Sequence, residues 1–83
     1  MTYHIQWSRD SDKFMEKLPT HISKRIAHKV DSICEEPFRY LAHYEGDSCY
    51  KLRMGDYRLL IDVDMGNKIL FVRILDHRSR IYK

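Results

Sequence analysis

The order and period of apolar residues predict an α+β domain. Two N-terminal helices should pack on one face of a mostly antiparallel, twisted sheet, in the order β-α-α-β-β-β with a short C-terminal element. Three observations carry this. Apolar and polar residues alternate at the N-terminus, and two apolar stripes at helical spacing follow, divided by Pro19. From Cys49 onward, alternating segments are separated by Gly55-Asp56 and Gly66-Asn67. The 83 residues are the size of one domain, expected over 1–83. With 43% hydrophobic and 33% charged residues, three glycines and two prolines, the chain is too apolar for a disordered tail and too ordinary for a fibre.

Tyr3, Ile5 and Trp7 alternate with His4 and Gln6, as in a half-buried strand. Ser8 is placed to cap a first helix, with Asp10 and Asp12 in its first turn and Phe14 and Leu18 on one face. Pro19 ends that helix, and Thr20 is expected to cap the second. There Ile22, Ile26, Val30, Ile33 and Cys34 form one stripe, with Lys24, Arg25, Lys29 and Asp31 turned outward. Pro37 is expected to close it, which leaves Glu35 and Glu36 in the last turn, against the helix dipole. Residues 37–48 show no clear period and read as a loop or a partly extended connection. Then come CYKLRM, YRLLIDV and KILFVRIL, three antiparallel strands joined by turns whose glycines supply positive φ.

Two-residue loops in both hairpins fix a register. One face receives Leu52, Met54, Tyr57, Leu59, Ile61, Val63, Leu70, Val72 and Ile74, an apolar surface for the helices. The other receives Lys51, Arg53, Arg58, Leu60, Asp62, Phe71, Arg73 and Leu75, with His77 at its end. Arg53 falls directly opposite Arg58, with Lys51 diagonal to Arg58, and like charges so placed disfavour a sheet. Two readings fit: the long side chains splay apart into water, or they form a preformed phosphate site on a rigid sheet. Arg73 has Asp62 as its diagonal neighbour, so a structural ion pair is its expected use.

Charge is unevenly distributed. Residues 1–49 hold seven Lys/Arg against eight Asp/Glu, whereas residues 50–83 hold eight against four. The tail DHRSRIYK adds His77, Arg78, Arg80, Tyr82 and Lys83 beyond the last strand. An imidazole, a phenol and several cations near a phosphate site are the groups that metal-free RNA cleavage needs: a proton acceptor, cations for the developing charge, and a donor to the leaving oxygen.

Other chemistries lack their residues. The five histidines and two cysteines show no HExxH or CxxC spacing, there is no glycine-rich phosphate loop, and Glu35 and Glu36 adjoin instead of facing each other across a cleft. No cofactor is expected. Cys34 and Cys49 are expected to be reduced and partly buried. With no secretory pattern and no apolar run near the ~20 residues of a membrane span, a cytoplasmic protein with no membrane partner is expected.

YKLRMGDYRLLIDV followed by ILFVRILDHRSRIYK resembles the RelE/ParE toxin superfamily, specifically its RelE branch of ribosome-dependent mRNA endonucleases. The Y-K-L-R, G-D-Y-R and H-R-x-x-x-Y pieces carry the likeness, and the leading strand, the helix pair split by LPTHI and the meander follow the family layout. The resemblance implies a toxin of a type II toxin–antitoxin module that cleaves mRNA in the ribosomal A site by 2′-hydroxyl attack on the adjacent phosphate. It implies as partners a RelB-like antitoxin encoded by an adjacent gene, and the ribosome with its mRNA and 16S rRNA. By position, Lys51, Arg53, Arg58, His77, Arg78 and Tyr82 match catalytic residues, and Lys51, Arg53, Arg58, Arg73, Arg80 and Lys83 would bind RNA. Position 53 is Arg where some members have Lys, and the run from Arg78 to Tyr82 is short. The alternatives are a ParE-like inhibitor of DNA gyrase, or a catalytically inactive RNA-binding member of the fold. Within the implied mechanism, Lys51 is the candidate general base. Arg53 and Arg58 would hold the phosphate, His77 or Arg78 would protonate the leaving oxygen, and Tyr82 would stack on or orient a base.

Overall fold

The structure is a computed structural model that describes residues 2–43 and 49–77. Strand β1 (His4–Trp7) leads into helices α1 (Arg9–Lys17) and α2 (Thr20–Ser32). A 3-10 turn at Pro37–Arg39 and the short β2 (Ala42–His43) precede the meander β3 (Tyr50–Met54), β4 (Tyr57–Asp64) and β5 (Ile69–His77). The five strands lie in the order β1-β5-β4-β3-β2; β1 runs parallel to β5, and the other pairs are antiparallel. This is the expected α+β architecture. The segment expected as a loop or partial extension supplies the 3-10 turn and β2. The expected C-terminal element lies outside the described residues.

Helix α1 starts where Ser8 predicts. The Ser8 hydroxyl oxygen accepts the Ser11 N–H at 3.1 Å, and Asp10 and Asp12 sit in the positive first turn. The second start differs from expectation. Pro19, extended at ψ 143°, occupies the capping position and Thr20 is already helical, without a side-chain cap. The Pro19 carbonyl accepts the N–H groups of Ile22 and Ser23 at 2.9 and 3.1 Å, so the first turn closes on the main chain. Helix α2 ends at Ser32, short of Pro37, so Glu35 and Glu36 escape the helix dipole. Glu35 instead accepts the Thr2 hydroxyl, and Glu36 pairs with Arg39 at 3.6 Å.

The core lies between the helices and one sheet face. Ile26, Val30, Ile33, Leu59, Ile61, Leu70 and Val72 are wholly or almost wholly buried, each such side chain contributing ~1.5–3 kcal/mol of transfer free energy. The first hairpin has the expected register, including Arg53 opposite Arg58. Its turn needs Gly55, which stands at φ +55° in the first loop position, where a type II′ turn takes glycine.

The second hairpin departs. Its turn spans residues 65–68, and the left-handed residue is Lys68 (φ 57°), not Gly66. The Asp64 carboxylate braces this turn by accepting the Asn67 N–H and side-chain amide at 3.0 and 2.9 Å. Pairing follows expectation from Asp64–Ile69 to Ile61–Val72, then shifts by one residue at a β-bulge. Beyond it Leu60 faces Ile74, Leu59 faces Leu75, Arg58 faces Asp76 and Tyr57 faces His77. The expected placement of Ile74 in the core and Leu75 on the outer face is therefore reversed: Leu75 is buried and Ile74 is 40% exposed. Arg73 is the extra residue. The carbonyls around the bulge are taken up by α1, where Ser8 Oγ donates to the Arg73 carbonyl at 2.8 Å and the wholly buried Ser11 Oγ donates to that of Val72 at 3.2 Å.

Candidate functional site

The outer face of the β3–β4 hairpin carries the cationic cluster. A two-residue turn holds Arg53 and Arg58 on the same face, and the next pair, Lys51 and Leu60, sets Lys51 diagonal to Arg58. The two arginines escape mutual repulsion by lying differently. Arg58 is only 3% exposed, and its Nη1 donates to the carbonyls of Gly55 and Tyr57 at 3.0 and 3.1 Å. Arg53 is exposed. The arrangement combines a fixed guanidinium, pinned to a turn, with a second one standing in water.

The bulge decides what joins them. By shifting the register it sets Asp76 directly opposite Arg58, so an acid enters the cationic face. It also turns His77 to the helix side, where the imidazole meets the Tyr57 ring edge-on at 5.8 Å, and Tyr57 in turn meets Phe14 at 6.3 Å. The expectation of His77 at the end of the outer face is thus corrected: one added residue inverts the side of everything beyond it. Arg73 forms the expected ion pair with Asp62, at 3.4 Å and half exposed, which makes it a weak contributor to stability. Arg78, Arg80, Tyr82 and Lys83 lie outside the described residues.

Sequence reasoning did not find three features: the turn carbonyls that hold Arg58, Asp76 as its strand neighbour, and the serines that secure the bulge. Only the serines left a signal, since Ser8 and Ser11 have helical i, i+3 spacing at a helix start. Among the described residues no three His, Cys, Asp or Glu side chains group so as to share a metal ion, and no helix is long and apolar enough to cross a membrane. Cys34 and Cys49 are free and buried; burial, reinforced by Asp31 and Glu35, pushes the Cys34 thiol up from its ordinary value.

No curated protein matches the sequence. Solved structures do. The toxin–antitoxin complex RelBE2 from Mycobacterium tuberculosis aligns at a TM-score of 0.81 and 23% identity, over 94% of this chain and 100% of the other, and shows the shared fold. The RelE–RelB complex of Pyrococcus horikoshii aligns at 0.78 and 26%, over 96% and 99% of the two chains. A doubly substituted Escherichia coli RelE in the free state aligns at 0.79 and 25%, over 99% and 92%. The family model described as the ParE toxin of the type II toxin–antitoxin system parDE matches residues 5–82, and the chain belongs to this RelE/ParE toxin family.

Proposed function

We propose that this toxin is a ribosome-dependent, metal-independent endoribonuclease that cleaves mRNA in the A site and is held in check by a RelB-like antitoxin in the cytoplasm. The observation that carries the reading is the placement of Arg53 opposite Arg58, with Lys51 diagonal, on one face of a paired sheet. Likeness to RelE at 25–26% identity supports it. In this reading Lys51 accepts the 2′-hydroxyl proton, while Arg58 and Arg53 bind the phosphate and the charge that develops as the 2′-oxygen bonds to phosphorus. Arg78 or His77 then protonates the departing 5′-oxygen, and His77 would first have to leave the Tyr57 ring. Tyr82 stacks on a base, and Arg73, Arg80 and Lys83 contact RNA further along. The ribosome with its 16S rRNA presents the mRNA.

A gyrase poison is the second reading, because the matching family model is that of ParE. One experiment separates the two. Purified toxin should cut mRNA on programmed ribosomes in the presence of EDTA; intact mRNA together with gyrase-linked DNA breaks would reverse the assignment.

A further inference from the structure

The bulge in β5 sets a carboxylate against the cationic pair. Had the pairing of Ile61 with Val72 continued, Leu75 would lie opposite Arg58; the added Arg73 puts Asp76 there instead, so one row across β3, β4 and β5 reads Arg53, Arg58, Asp76. The geometry points to Asp76 as the positioning residue for Arg58: its carboxylate supplies the counter-charge that keeps a buried guanidinium fixed toward the turn, beside the like charge of Arg53. Its part in catalysis rests on the nuclease reading; its hold on Arg58 does not.

Arg58 needs such a partner. It is 3% exposed, and a guanidinium does not shed its proton to escape burial, so its charge has to be offset where it lies. The carbonyls of Gly55 and Tyr57 accept from Nη1 at 3.0 and 3.1 Å, but they are dipoles, and the neighbour on the β3 side is a cation. The neighbour on the β5 side is Asp76, and directly opposed residues of an antiparallel pair have Cβ atoms ~4.5–5.5 Å apart. The other acids of this face, among the described residues, are engaged elsewhere: Asp62 pairs with Arg73 at 3.4 Å, and Asp64 accepts from Asn67 at 3.0 and 2.9 Å.

Asp76 is itself held, and half-buried. Its Oδ1 accepts the His77 N–H at 2.7 Å, which fixes the direction of the side chain. A carboxylate so placed has two opposed effects on the site. It orders Arg58 before phosphate arrives, which favours the charge that develops in the transition state, and it repels the phosphate itself, which weakens binding of RNA. Removing a residue of purely structural use would not move the two in opposite directions. The bulge, and the Ser8 and Ser11 hydroxyls on its carbonyls, therefore act on the site through one acid.

The test uses the whole toxin carrying Asp76→Asn, which keeps the shape of the side chain and an acceptor for the His77 N–H but removes the charge. Single-turnover cleavage on programmed ribosomes should fall about 10- to 100-fold, while binding of a free RNA oligonucleotide should tighten about two- to fivefold. Asp76→Glu, which keeps the charge, should recover most of the lost rate. In an Arg58→Ala background the effect of Asp76→Asn on rate and on thermal midpoint should largely vanish, as it does for residues that act as a unit. Unchanged cleavage in Asp76→Asn would overturn the assignment, as would equal losses in both backgrounds or weaker RNA binding in place of tighter. Absence of cleavage in the wild type would sink the nuclease reading alone: the thermal midpoints of wild type, the two single variants and the double variant would still decide whether Asp76 holds Arg58.

Discussion

Arg58 is at once a proposed phosphate ligand and a buried donor to two turn carbonyls. Arg58→Ala should lower cleavage by about 10²–10³-fold, as loss of a charge-stabilising donor does, and should also cost about 1–2 kcal/mol of stability by leaving those carbonyls unsatisfied. A thermal scan beside single-turnover cleavage measures both; an unchanged midpoint would mean that the bonds to the turn contribute nothing. Asp64 is a simpler case. Its hydrogen bonds from the Asn67 side chain, then from the Asn67 main chain, hold its carboxyl below the usual range. A folded-state pKa lower than the unfolded one contributes stability above the unfolded value, and that stability disappears as pH falls through the folded value. The stability difference between wild type and Asp64→Asn, measured by denaturant midpoints, should therefore narrow from neutral pH to about pH 3. The residues of the cationic face were legible in the sequence because Gly55 allows a two-residue turn, and such a turn leaves one register. The burial of Arg58 was not, since nothing in an alternating pattern says which way a long side chain folds along the sheet.

The strand β5 shows where pattern stops being informative. In FVRILDH both Ile74 and Leu75 are apolar, so continued alternation and alternation reset by a bulge at Arg73 both yield a plausible inner face. Contact with α1 settles the choice, because the hydroxyls of Ser8 and Ser11 accommodate the carbonyls of Arg73 and Val72. Ser11→Ala removes a wholly buried donor to the Val72 carbonyl, which keeps the Ser8 N–H at 2.9 Å, and should cost about 0.5–1.5 kcal/mol. Amide exchange should accelerate at the start of α1 and across β5 together; exchange confined to the helix would mean that the bulge stands without its serine. The parallel pairing of β1 was equally hidden, since periodicity marks a strand but not its neighbour. The helices were legible through their stripes, while the second start was not, because Pro19 supplies a main-chain cap in place of the expected threonine.

For the whole molecule, the excess of basic residues after position 49 would govern association with RNA under the proposed function. Binding of an RNA oligonucleotide by a cleavage-deficient variant should weaken with salt at a log–log slope of about −2 to −4, corresponding to three to five neutralised phosphates. The antitoxin complex should depend less on salt because it also buries apolar surface. A flat RNA slope would remove the phosphate site.

Among the described residues β1 pairs only with β5, the strand that follows it furthest along the chain, through His4–Ile69 to Trp7–Val72. During translation β1 therefore waits, with its main-chain groups open to water, while the remaining strands are made, and the sheet closes in one late step. Nascent chains stalled before residue 69 should be cut readily by protease, and protection should appear abruptly once β5 has left the exit tunnel. The order of the strands thus withholds a closed sheet until β5 has been made.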